Sequence, residues 1–269
     1  MRKKTIVALV MGTVLVANMF LGMKTEKVLA AETNFCGAGE FISTSETLSY
    51  ARKETSEYSI KGDLPNYTAS LGNTACANIA GAVLIGYYDR FNENLIPNYK
   101  TYNKVGTLIK YKLFGAEVSA VMSELYSLMG TDSNKGGTTF SGFQKGMKSY
   151  AEAHSSSYIS EDIGNSNFEK VKSSVTSDVP VAVFLLSYAF LTNLNTSNNL
   201  DVVKSVKSTE AHVVIACGYK IDTYYGVNGD VIAQRCYLKV ASGLDDYGII
   251  YLCLDGKSDV DRFVTVKLS

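Results

Sequence analysis

A mainly apolar block from Thr5 to Met23 opens the chain, behind Arg2, Lys3 and Lys4 and ahead of the small residues at Leu29-Ala30-Ala31. Basic, apolar and small segments in that order predict a secretory signal peptide over residues 1–31, cut near Ala30 or Ala31. An uncleaved anchor is the alternative, because the block approaches the length that spans a bilayer. Residues 32–61 are rich in Ser, Thr and Glu, with weak helical character from Glu46 to Tyr58, and read as a leader or surface segment. From residue 62 the pattern becomes that of a folded domain, which runs to 269 without a linker rich in Pro, Gly or charge.

Within 62–269 the first strong signal runs from Cys76 to Arg90. Ile79, Ala80, Val83, Leu84 and Tyr87 recur at helical spacing and the opposite side is also apolar, so a helix buried nearly all round is predicted, with Cys76 at its N-terminus. Two more helices are predicted, over Glu117 to Met129, with Val118, Val121, Met122 and Leu125 in one stripe, and over Ser141 to Ala153, after the turn Gly136-Gly137-Thr138-Thr139. Beyond Val171 the pattern changes to strands. Val179 to Leu186 carries Pro180 near its start, Val213 to Gly218 is a continuous apolar run, and Tyr237 to Ala241 with Gly248 to Leu254 forms a hairpin around Leu244-Asp245. Helices first and strands second define an α+β chain.

Charge narrows the partners. The whole chain balances 26 basic against 26 acidic residues; loss of 1–31 removes five basic and one acidic, leaving 21 against 25, a net charge of −4. Such a surface argues against nucleic acid. Past the signal segment nothing has the length or apolarity of a membrane span. Oligomeric state leaves no trace in the pattern.

The five cysteines, at 36, 76, 217, 236 and 253, include no Cys-x-x-Cys pair, and with two histidines in the chain no zinc-ligand set is expected. Cys36 lacks the small apolar neighbours that precede a lipidated cysteine. The hairpin centre places Cys236 opposite Cys253 and puts Cys217 on a neighbouring strand, so these three are expected to cluster, and two of them to pair after export.

One cysteine and one histidine carry candidate chemistry. A cysteine is nucleophilic as its thiolate, and a helix N-terminus supplies partial positive charge that favours that form, which is the position of Cys76. Its partner base must be an imidazole, and of the two histidines His212 heads a core strand, whereas His154 ends an exposed helix in the polar run Ala153-His154-Ser155-Ser156-Ser157. Singly, each residue reads as readily as a small buried hydrophobe or a structural histidine. Their joint order, loop, cysteine, buried helix, and far downstream a histidine heading a strand, favours the catalytic pairing.

Here the chain resembles a known family. Cys76 through Asp89, ending Gly86-Tyr87-Tyr88-Asp89, resembles the catalytic-cysteine helix of papain-like cysteine peptidases, in the branch related to the double-glycine bacteriocin-leader peptidases. Ala211-His212-Val213-Val214-Ile215-Ala216-Cys217-Gly218-Tyr219 resembles that branch's histidine strand, which typically ends in Gly-Tyr. The Gly137-Thr138-Thr139 turn, Gly142-Phe143, Tyr150 and the Pro180 strand agree, so the resemblance spans roughly residues 62 to 256. It implies a helical half bearing the nucleophile packed on an antiparallel sheet half bearing the base, with the active site between them. It also implies an enzyme whose thiolate hydrolyses peptide or protein substrates; the signal segment adds that it is secreted, and no cofactor or metal is expected.

The chain departs from that pattern at three places. Ala77-Asn78 stands where members commonly carry Gly-Pro after the cysteine. No glutamine precedes Cys76 to supply the oxyanion amide, which leaves Asn73 or Asn66 for the role. Ser242 occupies the position of the residue that orients the histidine, with Asp245 and Asp246 as alternatives. Related acyl chemistry, transglutamination or cell-wall amide cleavage, fits the same cysteine and histidine. A catalytically weak or silent protein that binds a peptide or cell-surface partner in the groove is the reading from a different class, and the missing glutamine favours it.

Overall fold

The computed structural model describes residues 32–35, 40–62, 64–68, 75–100, 115–132, 134 and 137–269, together with two backbone strands at 102–105 and 108–111. The expected signal peptide over 1–31 and Cys36 lie outside the described residues. In chain order the elements are β1 (Asn34–Phe35), β2 (Ile42–Ser49), β3 (Arg52–Ser59), α1 (Cys76–Asp89), β4 (Tyr102–Val105), β5 (Leu108–Tyr111), α2 (Ala116–Leu128), β6 (Thr138–Thr139) and α3 (Phe140–Ala153). There follow β7 (Tyr158–Gly164), α4 (Phe168–Thr176), β8 (Val181–Ser197), β9 (Leu200–Ser208), β10 (His212–Tyr225), β11 (Val231–Ala241), β12 (Ile249–Cys253) and β13 (Asp259–Leu268). Four helices and a large antiparallel sheet make the described part a mixed α and β structure. None of its helices is long and apolar enough to cross a membrane.

Because α1 is apolar on every side, it is buried along its whole length and packs on α2, α3 and β10. Small residues set how closely: a Cβ on Gly81 would lie 2.9 Å from Leu125 Cδ1 and from Met147 Sδ, so the contact of α1 with α2 and α3 leaves no room for a side chain there. The helix is tied to the sheet where the Tyr88 hydroxyl donates to the Val266 carbonyl on β13 at 2.6 Å. Hydrophobic periodicity does not predict α4. Its buried residues are Val171 and Val175, one turn apart, and Asn167 caps it by accepting from the Lys170 N–H.

The main sheet runs β2-β9-β8-β12-β11-β10-β3, with β13 joining β8 to β7 and β8 also pairing the start of β10. Its inner strands read as the sequence predicts, with β8 starting just after Pro180 and buried from Val181 to Leu185. The weakly helical expectation over Glu46 to Tyr58 is overturned: these residues form β2 and β3, which pair respectively with β9 and β10. Most side chains of both strands are exposed, so they carry no alternating apolar face for a pattern to reveal. Backbone pairing and a few polar anchors hold them instead, among them Lys53, whose Nζ donates to the buried Asp201 at 2.8 Å, and Thr55, whose hydroxyl donates to Asp222 at 2.6 Å.

The expected pairing among the downstream cysteines is also corrected. In the β11–β12 hairpin Tyr237, not Cys236, stands opposite Cys253. One residue of register moves a side chain to the other face, so Cys236 and Cys253 point to opposite sides of the sheet. Cys217 sits at a bulge between Ala216 and Gly218, its thiol 3.5 Å from the Lys239 carbonyl. None of Cys76, Cys217, Cys236 and Cys253 is in a disulfide.

Candidate active site

Cys76 is the first residue of α1, follows Ala75 and is 4% exposed. Ala75 offers no side-chain cap, so the first-turn N–H groups that every helix leaves without an intrahelical partner are not taken by a capping side chain. Two residues on from Cys76, Asn78 has a local role. Asn78, fully buried, donates to the Thr131 hydroxyl at 3.0 Å, and Thr131 in turn lies 2.6 Å from the Thr138 hydroxyl. The head of α1 is thereby fixed to the connection between α2 and α3.

His212 is the first residue of β10, opposite Leu185 on β8, and no part of it is exposed. Its Nε2 lies 2.8 Å from the Ser242 carbonyl oxygen. A carbonyl can only accept, so Nε2 carries the proton and the neutral ring keeps its lone pair at Nδ1. That Nδ1 is buried without a hydrogen-bond partner among the described residues. Burial disfavours the imidazolium and the Ser242 bond offsets this only in part, which brings the pKa down to about 4. At neutral pH the His212 ring is therefore uncharged, with its lone pair on Nδ1. The Tyr188 ring covers one face of the imidazole, with centroids 4.9 Å apart and planes 32° apart.

Ser242 stands beside the histidine, but its hydroxyl does not face the ring. The Oγ accepts from the Leu244 N–H at 3.1 Å, and the Ser242 N–H donates to the Gly248 carbonyl at 2.9 Å. The side chain thus closes the 242–248 turn while the main-chain carbonyl holds the imidazole. Asp245 and Asp246, the alternative partners, are exposed on that turn. The turn meets α1 at Gly243, where a Cβ would lie 3.2 Å from Ile79 Cγ2. Ile79 is less than one helical turn beyond Cys76, so the loop that anchors His212 is packed on the stretch of helix that begins with Cys76.

Asn73 lies outside the described residues. Asn66 lies against the same turn, its Nδ2 3.0 Å from where a Cβ on Gly248 would stand, and its buried Oδ1 has no hydrogen-bond partner among the described residues. His154 caps the C-terminus of α3, stacks on Tyr150 with ring centroids 4.3 Å apart and places Nδ1 3.1 Å from the Asn94 carbonyl, more embedded than an exposed helix end would be. Nothing in the sequence marks Tyr188 or Gly243: one sits inside an apolar run and the other in a turn, where their types are ordinary.

Among the described residues no group of three His, Cys, Asp or Glu side chains is placed to hold a metal ion. A cleft of about 570 Å³ lined by Asp89, Glu93, Tyr99 and Lys100 lies at the other end of α1 from Cys76. Burial is the first cause that pushes the Cys236 and Cys253 thiols up, to about 11 and about 12, so both are poor nucleophiles.

No family model matches the chain, and no curated protein matches it. Among solved structures, a Bacillus anthracis protein provisionally named a C39-like peptidase aligns with 78% of this chain and 96% of its own, at 12% identity and a TM-score of 0.36. A likeness that distant is no basis for assigning chemistry.

Proposed function

We propose that the chain is an exported papain-like cysteine hydrolase acting on peptide bonds, with Cys76 as nucleophile and His212 as base. One observation carries the reading: the Ser242 carbonyl fixes the proton on Nε2, leaving a buried lone pair at Nδ1, without a hydrogen-bond partner among the described residues, on a histidine whose anchoring loop packs at the head of α1. In this mechanism Nδ1 takes the thiol proton as Sγ attacks the scissile carbonyl, and the imidazolium returns it to the leaving amine. Water then hydrolyses the thioester with the same nitrogen as base. The oxyanion is met by the Cys76 N–H and a side-chain amide, from Asn73 or from Asn66 beside the 242–248 turn. Peptides or proteins are the substrates, and neither cofactor nor nucleic acid enters the scheme.

The deciding assay is turnover of a fluorogenic peptide library by the purified chain. Cys76→Ala and His212→Ala should each lose about a thousandfold or more in kcat/KM, as removal of a nucleophile or its base does. Turnover that survives Cys76→Ala would overturn the reading. A second reading, a silent member that binds a peptide, is favoured by the burial of both groups, 4% for Cys76 and 0% for His212. It predicts peptide binding with no acyl-enzyme and no turnover at any pH.

A further inference from the structure

The aromatic residues behind His212 link the site to the start of the described chain. Tyr188, fully buried, lies over the imidazole, and Phe41, just ahead of β2, packs edge-on against Tyr188 with centroids 6.0 Å apart and planes 74° apart. The same Phe41 ring lies 5.1 Å from Tyr247, on the 242–248 turn that supplies the Ser242 carbonyl. Tyr247 also touches Phe190 on β8 at 5.7 Å, and Phe190 lies 5.0 Å from Tyr188. Tyr188 thus lies on the histidine, Tyr247 on its anchoring loop, and Phe41 and Phe190 each bridge the two.

Resting on the hydrolase reading, we infer that Tyr188 and Phe41 are positioning residues for His212: Tyr188 keeps water from the imidazole and its bond to Ser242, and Phe41 clamps Tyr188 and the Ser242 turn together. The N-terminal segment is then part of the catalytic apparatus. A carbonyl is a weaker orienting partner than a carboxylate, because it adds no charge to favour one ring orientation, and exclusion of water makes up the difference. On Tyr188, the Phe41 segment, the β9–β10 connection and the 242–248 turn, the ionisable groups are the Tyr188 and Tyr247 phenols and the exposed Glu40, Glu210, Asp245 and Asp246; Cys76 heads α1, which packs on that turn. Burial and the Ser242 bond are what act on His212. The proton affinity of the ring therefore reports how dry it is kept.

The test uses the full chain labelled with 15N-histidine, in which two imidazoles are visible and His154→Gln assigns them. In the Cys76→Ala background His212 should titrate near 4. Tyr188→Phe should leave that value in place, Tyr188→Leu should raise it by about one unit or more toward the free-imidazole value, and Phe41→Ala should raise it by less. The acid limb of kcat/KM should move with it in the Cys76 protein. If Tyr188→Leu does not fold, Phe41→Leu and Phe41→Ala, at a half-buried position, carry the test. Folded variants whose His212 titrates as in the parent would overturn the inference. Because the titration needs no turnover, an inactive protein with shifted midpoints would refute the hydrolase and keep the positioning.

Discussion

Gly243 is pressed against Ile79, and a larger residue there is strained on two counts: its φ is +72° and a Cβ would fall 3.2 Å from Ile79 Cγ2. The helix that begins with Cys76 and the loop that holds His212 meet at this point. Gly243→Ala should cost about 1–3 kcal/mol, from the unfavourable backbone and the displaced Ile79. It should also reduce kcat/KM more than KM changes, because the Ser242 carbonyl moves with the turn. Urea denaturation and peptide kinetics check the two parts, and a variant of parental stability would show that the turn yields freely.

At the third catalytic position the geometry runs against the hydroxyl. Ser242→Ala removes a bond to the Leu244 N–H but leaves the carbonyl that holds His212, so activity should stay within a few-fold while stability falls by about 1 kcal/mol. Asp245→Asn, on the exposed side of the turn, should be nearly silent. A hundredfold loss of kcat/KM in Asp245→Asn would assign the orienting role to that carboxylate.

Cys76 should be the first thiol that iodoacetamide alkylates at pH 6. Cys236 and Cys253 are held protonated by burial, with values near 11 and 12, and Cys217 is buried against Lys239. His212→Ala should slow the reaction at Cys76 by about tenfold or more, since no base then draws off the proton. Peptide mass spectrometry after short exposure reads the order, and modification of Cys236 ahead of Cys76 would sink the assignment.

The cysteines of the β11–β12 hairpin should resist oxidation to one another. Since Cys236 and Cys253 face opposite sides of the sheet, a bond between them needs a register slip of the hairpin. Non-reducing peptide mapping after mild diamide treatment should recover both as separate thiols; a Cys236–Cys253 peptide would mean the register is wrong.

Two buried groups should set the acid sensitivity, in separate windows. His212 has a folded pKa of about 4, below its ordinary 6.5, so the stability it contributes is complete above 6.5 and is lost as pH falls toward 4. Asp201 follows the same sign at lower pH. Burial opposes its charged form, but hydrogen bonds from Lys53, Thr196, Tyr224 and Tyr50 outweigh burial and hold its carboxyl below the usual value, so its contribution fades only as pH falls below about 3.9. Thermal melts from pH 8 to 2 should show two steps, with His212→Gln removing the upper and Asp201→Asn the lower.

The parts of the fold legible in the sequence were those in which burial dictates residue type. The α1 helix had to be apolar on all sides because it lies among α2, α3 and β10, and the strand behind His212 had to be apolar because Val213 to Ala216 are enclosed. By contrast β2 and β3 are mostly exposed, their cohesion lies in main-chain bonds that any residue supplies, and Ser, Thr and Glu there suggested a helix as readily as a strand. The same reason hid the role of Ser242. A carbonyl holds the imidazole, and a carbonyl has no residue type.

Where β2 and β3 pair bears on when the fold can be completed. Thr44 meets Ser205 across 161 residues of chain, and Lys53 meets Asp201 across 148. Strands β2 and β3 leave the ribosome with no partner, and their places in the sheet exist only after β9 and β10 have been made. Contacts so distant in sequence form late and slowly. If the chain is exported unfolded, as proposed, it would gain from this delay, since β2 and β3 cannot lock into the sheet until β9 and β10 have been made.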